Sequence, residues 1–373
     1  MERRDIPIHP AAEVSQSESI KKLRNNAPDY LVSLIEHGML ENVDSLAELD
    51  KNDMSLLPGG KMSAVYFLTN NEQPRVVKFR YGGGAEDEAM GAWQLQGAAV
   101  PDQFATGIVP LTEQDGEPVR FSVSEAILNS SGNPALDGAS YVAENPGAIE
   151  AIAHKMGREL GIMHRAKTTK AFGPLDGNTN SDETLSTYYS HKLDAALPYL
   201  QTMGLTLADT DALRASFREI NFPEQGTYVH GDFGLPNILV PGDIASSKVI
   251  DPNPQVLDHY WDLAFVVRGG EIRKAVYESN REDELAKKAY LQEERYVRSL
   301  VSAYLETTGE ERLDTRRLFA NQIILELPSI QRGEERIAKG LSGFTDSHKR
   351  TKAERELGLR KGLLLEKMRG LIS

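Results

Sequence analysis

The stretch that decides the fold spans residues 228–240 and reads YVHGDFGLPNILV, and a second piece, KVIDPN, follows at 248–253. Both pieces have one form, in which a short apolar β-prone run adjoins a turn that holds a carboxylate or an amide. The turns hold Asp232, Asn237 and Asp251. This pattern predicts that the three side chains lie on loops at the ends of strands.

Three oxygen-bearing side chains held by rigid strands suit a hard divalent cation, because magnesium takes oxygen ligands and keeps room for water and phosphate. In kinases a catalytic-loop Asp receives the proton of the acceptor, and an Asn five residues later and a second Asp on the next strand turn hold magnesium. Asp232, Asn237 and Asp251 have that order and spacing. We therefore expect Asp232 to be catalytic and Asn237 and Asp251 to bind Mg²⁺. Turn chemistry alone is the competing interpretation, since Asp, Asn and Gly are common turn residues.

The segment His230–Leu239, taken with Ile250-Asp251 and Trp261-Asp262-Leu263-Ala264, resembles the aminoglycoside phosphotransferase and choline kinase family, small-molecule relatives of protein kinases. The resemblance implies an α+β, two-lobed protein-kinase-like fold, with a small β-rich N-lobe and a larger, mostly helical C-lobe. It also implies that Asp262 braces the catalytic loop through hydrogen bonds. Leu257 departs from the family pattern, which usually has glycine at this place.

Residues 51–126 are expected to form the nucleotide-binding N-lobe. The sequence at 56–68, LLPGGKMSAVYFL, reads as strand, glycine turn and strand. Gly59, Gly60 and Ser63 are candidate phosphate-binding residues, because glycines let backbone N–H groups approach phosphates closely. An ordinary hairpin is the competing interpretation for the two glycines. The following strand carries Lys78, which resembles the kinase lysine that contacts the α and β phosphates and pairs with a helix glutamate.

A helix is predicted to begin near Ala85 and to supply that glutamate. We expect Glu88 to be the partner of Lys78, because it lies five residues before Trp93, which we place in the core. Glu86 is the alternative, since two residues along a helix point in different directions.

A hairpin is predicted around Asp115-Gly116, with strands at 108–111 and 119–126. In kinases the strand after this hairpin leads into the hinge, whose backbone binds the purine edge. Ser124, Glu125 and Ala126 are therefore the expected hinge. Backbone contacts do not depend on the side chain, so both ATP and GTP stay open as co-substrates.

Residues 127–373 are expected to form the catalytic and acceptor-binding C-lobe. Apolar residues from Ile149 to Met163 recur at three and four residues and predict an amphipathic helix that ends at His164, which we expect to be structural. After Gly343, basic and apolar residues alternate in a predicted terminal helix. That helix docks on its own lobe or lies on a membrane or partner, and its interleaved glutamates favour docking.

Residues 1–50 are expected to form an N-terminal helical extension, with one or two short amphipathic helices interrupted near Pro28.

The composition of the chain limits the classes of function that it can have. The 373 residues carry a formal net charge of -13 and no cysteine. The negative charge argues against nucleic-acid binding, and the absence of cysteine excludes disulfides and thiolate nucleophiles. No apolar stretch has the length of a signal peptide or membrane span, so we expect a cytoplasmic protein. An acidic surface favours a cationic acceptor, although solubility is the favoured explanation of the charge.

These features together predict a Mg²⁺-dependent kinase that transfers the γ-phosphoryl of ATP or GTP to a hydroxyl of an aminoglycoside-like or other small polar acceptor. A metabolic kinase for a sugar, amino alcohol or nucleoside is an alternative that the sequence does not separate. A catalytically silent kinase-like module that binds nucleotide or a partner is the third, and the presence of all four residues Lys78, Asp232, Asn237 and Asp251 argues against it.

Overall fold

The computed structural model describes residues 18–40, 54–57, 63–68, 74–82, 84–110, 118–168, 170–175, 182, 184–339 and 347–372. Within these ranges the N-terminal part is built on a five-stranded antiparallel sheet with strand order β1-β2-β3-β5-β4. Its elements are α1 Glu18–Glu36, β1 Met54–Leu56, β2 Ser63–Leu68, β3 Arg75–Tyr81, α2 Ala85–Leu95, β4 Gln103–Ile108 and β5 Val119–Glu125.

The C-terminal part is mostly helical, as predicted, and carries two small sheets with strand orders β11-β10-β6 and β7-β9-β12-β8. Its elements are β6 Leu136–Asp137, α3 Gly138–Glu144, α4 Ile149–Met163, β7 Lys167–Thr168, β8 Gly173–Pro174, α5 Leu185–Thr202, α6 Leu207–Glu219, β9 Gly226–Val229, β10 Ile238–Val240, β11 Lys248–Val249, β12 Gln255–Leu257, α7 Tyr260–Ser279, α8 Glu284–Thr308, α9 Thr315–Ala338 and α10 Ser347–Ile372. The α+β, two-lobed kinase-like architecture is therefore confirmed. None of the described helices is long and apolar enough to cross a membrane.

Helix α1 shares a hydrophobic core with the small-lobe sheet. Contrary to prediction, α1 is one continuous helix that contains Pro28. A proline in a helix cannot donate its nitrogen to the carbonyl four residues earlier, here that of Arg24. The Tyr66 hydroxyl of β2 donates to this carbonyl instead, at 2.7 Å. The sheet thus supplies a hydrogen bond that the proline cannot make, and the helix continues through it.

Helices α4 and α8 form a close contact in the core of the large lobe. A Cβ added at Gly157 would lie 2.1 Å from the Leu300 carbonyl oxygen, and one at Gly161 would lie 2.8 Å from Thr307. Only glycine lets the two backbones approach this closely. The contact holds the C-terminal end of α4, where His164 caps the helix.

Helix α10 docks on its own lobe, as the interleaved charges predicted. It packs against α6, α7 and α9, and Leu364, Met368 and Leu371 are buried there. Its basic residues Arg360 and Lys367 point inward and pair with Glu326 and Glu271 of the neighbouring helices. The basic character of this helix therefore serves contacts within the lobe.

The predicted hairpin of the small lobe is present with a shifted first strand. β4 ends at Ile108 and pairs with β5, whereas the strand was expected over 108–111. The turn itself, 111–117, lies outside the described residues.

Candidate active site

The catalytic loop between β9 and β10 is held from behind by one buried carboxylate. Asp262 is fully buried at the start of α7. It accepts hydrogen bonds from the backbone N–H groups of His230 and Gly231, both at 2.8 Å. The predicted bracing role of Asp262 is borne out by these two contacts.

A second set of contacts fixes the Asp262 carboxylate. His164 Nε2 lies 3.1 Å from Asp262 Oδ2, and His164 Nδ1 lies 3.1 Å from the Tyr304 hydroxyl. Burial acts to raise the pKa of Asp262, but the interactions with His164 and His230 together outweigh burial and lower it. Burial also lowers the pKa of His164. His164 is thus a buried structural residue, as expected.

Gly231 allows the catalytic loop to pass close to the strand turn that carries Asp251. Its φ is +79°, and an added Cβ would lie 2.1 Å from the Asn253 carbonyl oxygen. The Asn253 N–H donates to the His230 carbonyl at 2.8 Å, and His230 Nε2 lies 3.0 Å from the Ile250 carbonyl. Both the positive φ and the close approach require glycine here.

The three residues of the predicted triad lie together. Asn237 Nδ2 donates to the Asp232 backbone carbonyl at 2.7 Å and to Asp232 Oδ2 at 3.1 Å. The Ile250 N–H donates to the Asn237 carbonyl at 2.9 Å, which places Asn237 beside the residue that precedes Asp251. The Asp232 and Asp251 side chains are exposed. Asp251 has a φ of +52°, the only described non-glycine residue with a positive φ.

The donor set fits magnesium in its chemistry. The Asn237 amide nitrogen is used by Asp232, which leaves Oδ1 as the oxygen available to a cation. The Asp251 carboxylate is 54% exposed. One amide oxygen and one carboxylate leave most of an octahedral shell to water and phosphate, as magnesium prefers. Among the described residues no group of three or more His, Cys, Asp or Glu side chains forms a denser metal site.

Lys78 of β3 reaches the same place from the small lobe. Its Nζ lies 2.9 Å from both carboxylate oxygens of Glu86 and 2.7 Å from Asp251 Oδ1. Burial lowers the pKa of Lys78, but the carboxylates of Glu86 and Asp251 outweigh burial and raise it. The expectation that Glu88 pairs with Lys78 is wrong, and the alternative, Glu86, is the partner.

Glu88 has different partners because it faces the large lobe. It accepts hydrogen bonds from Lys170 Nζ, at 2.6 Å, and from the Tyr228 hydroxyl of β9. Successive helix residues are rotated by about 100°, so residues 86 and 88 lie about 200° apart and cannot share a partner. Glu88 therefore joins α2 to the strand that leads into the catalytic loop.

Trp93 makes a second contact between α2 and that loop. Trp93 is fully buried, as predicted, and its indole N–H donates to the Tyr228 carbonyl at 3.2 Å. Its ring stacks on the His230 ring with centroids 6.0 Å apart and planes 5° apart. Burial lowers the pKa of His230, whose ring is enclosed by this stack and by Phe233.

The expected hinge residues are partly engaged in the sheet. Ser124 pairs with Val76 in β3. The Glu125 N–H donates to the Asp102 carbonyl at 2.8 Å, and the Ala126 N–H donates to the Pro74 carbonyl at 3.3 Å. Two of the three expected N–H donors are thus engaged within the small lobe. The hinge assignment stays a prediction, since a hinge also offers its backbone carbonyls.

The turn that was predicted to bind phosphate is described only at its far end. Gly59 and Gly60 lie outside the described residues. Ser63 is the first residue of β2, where it pairs with Arg80 of β3 and is buried. Its side chain lies on the same face of the sheet as Lys78, because Lys78 pairs with Val65, two residues along the same strand. A phosphate contact from Ser63 stays a prediction.

Two residues of α7, Phe265 and Arg268, were missed in the sequence and lie near Gly234 in the loop after Asp232. An added Cβ at Gly234 would lie 4.0 Å from the Phe265 ring, and the Arg268 guanidinium lies 4.7 Å from the centroid of that ring. Burial lowers the pKa of Arg268, while the carboxylates of Glu326 and, to a smaller extent, Asp232 act in the opposite direction. The available signal was spacing, since residues 262, 265 and 268 lie three apart on one helix and follow one face of it.

No family model matches the sequence, and no curated protein matches it significantly. Solved structures do match. A candidate aminoglycoside phosphotransferase from Ralstonia eutropha superimposes with a TM-score of 0.52 and 16% identity, over 90% of this chain and 98% of that chain. This chain has the aminoglycoside phosphotransferase fold. The aminoglycoside phosphotransferase APH(4)-Ia gives a TM-score of 0.50 and 16% identity, over 89% of this chain and 99% of that chain. Identities of this size establish the fold, and the activity is argued from the site.

Proposed function

We propose that the protein is a magnesium-dependent kinase that transfers the γ-phosphoryl of ATP or GTP to a hydroxyl of a small polar acceptor. The observation that carries the proposal is the convergence of Lys78, Asp232, Asn237 and Asp251. Asn237 is hydrogen-bonded to Asp232, and Lys78 is hydrogen-bonded to Asp251 across the two lobes. A kinase needs these four groups in one place, whereas a module that only binds nucleotide does not need an exposed carboxylate at Asp232.

The acceptor hydroxyl lies at Asp232 in this mechanism. The Asp232 carboxylate takes the hydroxyl proton, the acceptor oxygen forms a bond to the γ-phosphorus, and the bond from that phosphorus to the β–γ bridging oxygen breaks to release the nucleoside diphosphate. Asn237 orients the base through its hydrogen bond to Oδ2. The transition state is loose, so positioning and charge stabilisation supply most of the rate.

Lys78 neutralises phosphate charge from the small-lobe side. Glu86 holds the ammonium through both carboxylate oxygens, which fixes its position relative to Asp251. Magnesium, held by Asn237 and Asp251, would neutralise charge on the transferring phosphates.

The test is magnesium-dependent release of ADP or GDP across a panel of aminoglycosides, simple sugars, amino alcohols, sugar acids and nucleosides. We expect one acceptor class to stimulate release, and Asp251→Ala to reduce that stimulation by about two to four orders of magnitude, the scale of a lost charge clamp. Tight nucleotide binding with no stimulation by any acceptor would instead support the binding-module alternative.

A further inference from the structure

A cluster of charged side chains fills the space between α7, α9 and α10 beyond Asp232. We call it the acceptor-side cluster. It extends from Arg268, which lies over the Phe265 ring beside the catalytic loop, to the inner face of α10. Its members are Arg268, Glu271, Gln322, Glu326, Arg360 and Lys367, and together they line a small common cavity.

The two carboxylates of the cluster accept hydrogen bonds mainly from side chains of α10. Glu326 Oε2 accepts from Arg360 Nη2 at 2.7 Å and Nε at 3.2 Å. Glu271 Oε2 accepts from Lys367 Nζ at 2.7 Å and from Gln322 Nε2 at 3.0 Å. These contacts leave Arg268 as the cation with the weakest pairing.

Arg268 has an ion-pair contact but no hydrogen bond within the described part of the chain. Its Nε lies 3.2 Å from Glu326 Oε1, yet both atoms are buried without a hydrogen-bond partner there. Its side chain is 20% exposed. A guanidinium in such surroundings is stabilised when its planar set of donors binds an oxyanion, and carboxylate and phosphate both match that geometry.

The charge balance points the same way. Three cations, Arg268, Arg360 and Lys367, face two carboxylates, Glu271 and Glu326, so the cluster has one positive charge in excess. A charge that is poorly paired and largely removed from water is costly. The carboxylate of the proposed base, Asp232, also attracts the Arg268 charge, but it is needed to receive the acceptor proton.

We propose that the acceptor carries an oxyanion, a carboxylate or a phosphate, that binds Arg268 while its hydroxyl lies at Asp232. The inference rests on the proposed function for the position of the acceptor. It also opposes the expectation from the net charge of -13, because the acceptor-side cluster has one positive charge in excess while the whole chain is acidic. A polycationic aminoglycoside would place like charge next to Arg268.

The experiment measures binding to the full chain by calorimetry at about 150 mM salt, where non-specific surface attraction is screened over about 8 Å. Two scaffolds are compared in matched forms: gluconate, glucose 6-phosphate, glucose and glucosamine, and then glycerate, glycerol 3-phosphate and glycerol. Each is titrated with and without magnesium and a non-hydrolysable ATP analogue. The carboxylate and phosphate arms identify which oxyanion the site takes.

We expect at least one anion to bind at least about tenfold more tightly than its neutral and amine counterparts. Arg268→Gln should weaken that binding by about tenfold to a hundredfold, the range of a lost charge-assisted hydrogen-bond pair. Arg268→Lys should recover part of it, because charge returns without the planar fork. The matched control is Arg273→Gln on the exposed face of α7, which should change binding by less than about twofold.

The proposal is overturned if none of the anions binds, or if charged and neutral forms bind with equal affinity. It is also overturned if Arg273→Gln weakens anion binding as much as Arg268→Gln does. The proposed kinase activity fails separately. An anion that binds through Arg268 and is never phosphorylated contradicts the kinase activity and leaves the oxyanion site standing. An acceptor that is phosphorylated equally well by the wild type and by Arg268→Gln contradicts the oxyanion site and leaves the kinase activity standing.

Discussion

Glu86 and Glu88 are two residues apart on α2 and do different work. Glu86 holds Lys78 with both carboxylate oxygens, while Glu88 contacts Tyr228 and Lys170 of the large lobe. Only Glu86 touches the lysine that is proposed to contact phosphate. The two positions therefore make a matched pair for testing that role.

Glu86→Gln is expected to lower kcat/KM for ATP by about tenfold to a hundredfold, because the amide no longer holds the Lys78 ammonium with a charge. Glu88→Gln removes a contact between the lobes and should lower kcat/KM for ATP by less than about threefold. Steady-state kinetics with varied ATP separate the two. A larger loss in Glu88→Gln than in Glu86→Gln would return the lysine partner to Glu88.

Two buried histidines make the stability of the fold depend on pH. Burial lowers the pKa of His164 and of His230 below the value of about 6.5 expected in the unfolded chain. Between the folded and unfolded pKa values the unfolded chain binds protons that the folded chain does not. Stability must therefore fall as the pH falls below about 7, by up to about 1.4 kcal/mol per pH unit for each histidine.

Urea unfolding at pH 7.5, 6.5 and 5.5 measures this slope. His164→Gln should reduce the slope of the unfolding free energy against pH by about half, because one of the two titrating groups is removed. This holds whatever the substitution does to the unfolding free energy at pH 7.5. His230→Gln should reduce the slope in the same way, because burial lowers the pKa of that histidine too. Stability that stays constant from pH 7.5 to 5.5 would contradict buried, neutral histidines at both positions.

At the scale of single residues, much of the site could be predicted from the sequence, because the contacts that bring its residues together are formed by short neighbouring turns. Asp232, Asn237 and Asp251 lie on short turns joined by backbone hydrogen bonds, so their order and spacing largely determine their proximity. The partner of Lys78 was not readable, since it depends on the rotation of α2 about its axis. Arg268 depends on how α7 lies against the catalytic loop, which no local pattern records.

At the scale of elements, close helix packing explains the large lobe. An added Cβ at Gly157 would meet the backbone of α8, and a backbone cannot move aside as a flexible side chain can. Gly358 of α10 lies in a helix too, but an added Cβ there meets nothing within 4 Å. The two glycines differ only in their surroundings.

Gly157→Ala is expected to lower the free energy of unfolding by at least about 2 kcal/mol, because α4 and α8 must separate to admit the methyl group. Gly358→Ala should raise it by about 0.5–1 kcal/mol, the gain in helix propensity on replacing glycine. Urea unfolding of both variants is the measurement. A neutral Gly157→Ala would show that the α4–α8 contact is looser than described.

Helix α1 shows where element prediction from sequence fails. The pattern of apolar residues in 20–35 predicted the helical faces correctly, and Pro28 predicted a break. The break does not occur because the Tyr66 hydroxyl, more than thirty residues later in the chain, bonds the Arg24 carbonyl. The same long-range packing places α1 in the core of the small lobe, where sequence alone suggested a separate extension.

At the scale of the whole molecule, α2 links the two lobes, because it contacts functional residues of both. It carries Glu86, which holds Lys78, and Trp93, which stacks on His230 two residues before Asp232. The backbone of Ala99 adds a further link, since its N–H donates to Glu159 at 2.6 Å and its carbonyl accepts from Val249 at 2.8 Å. Lys78 and the loop that carries Asp232 are thus joined by packed elements.

We propose that Asp232 takes the proton of the acceptor during phosphoryl transfer. The most direct measurement is single-turnover transfer of the γ-phosphoryl from labelled ATP to the acceptor, in the wild type and in Asp232→Ala, with the dissociation constant of ATP and the circular dichroism spectrum measured on the same samples. We predict that transfer falls by about two to four orders of magnitude while ATP affinity and the fold are retained, since the lost group acts on the acceptor. Transfer within a few-fold of the wild type, in a folded variant that binds ATP, would contradict this account.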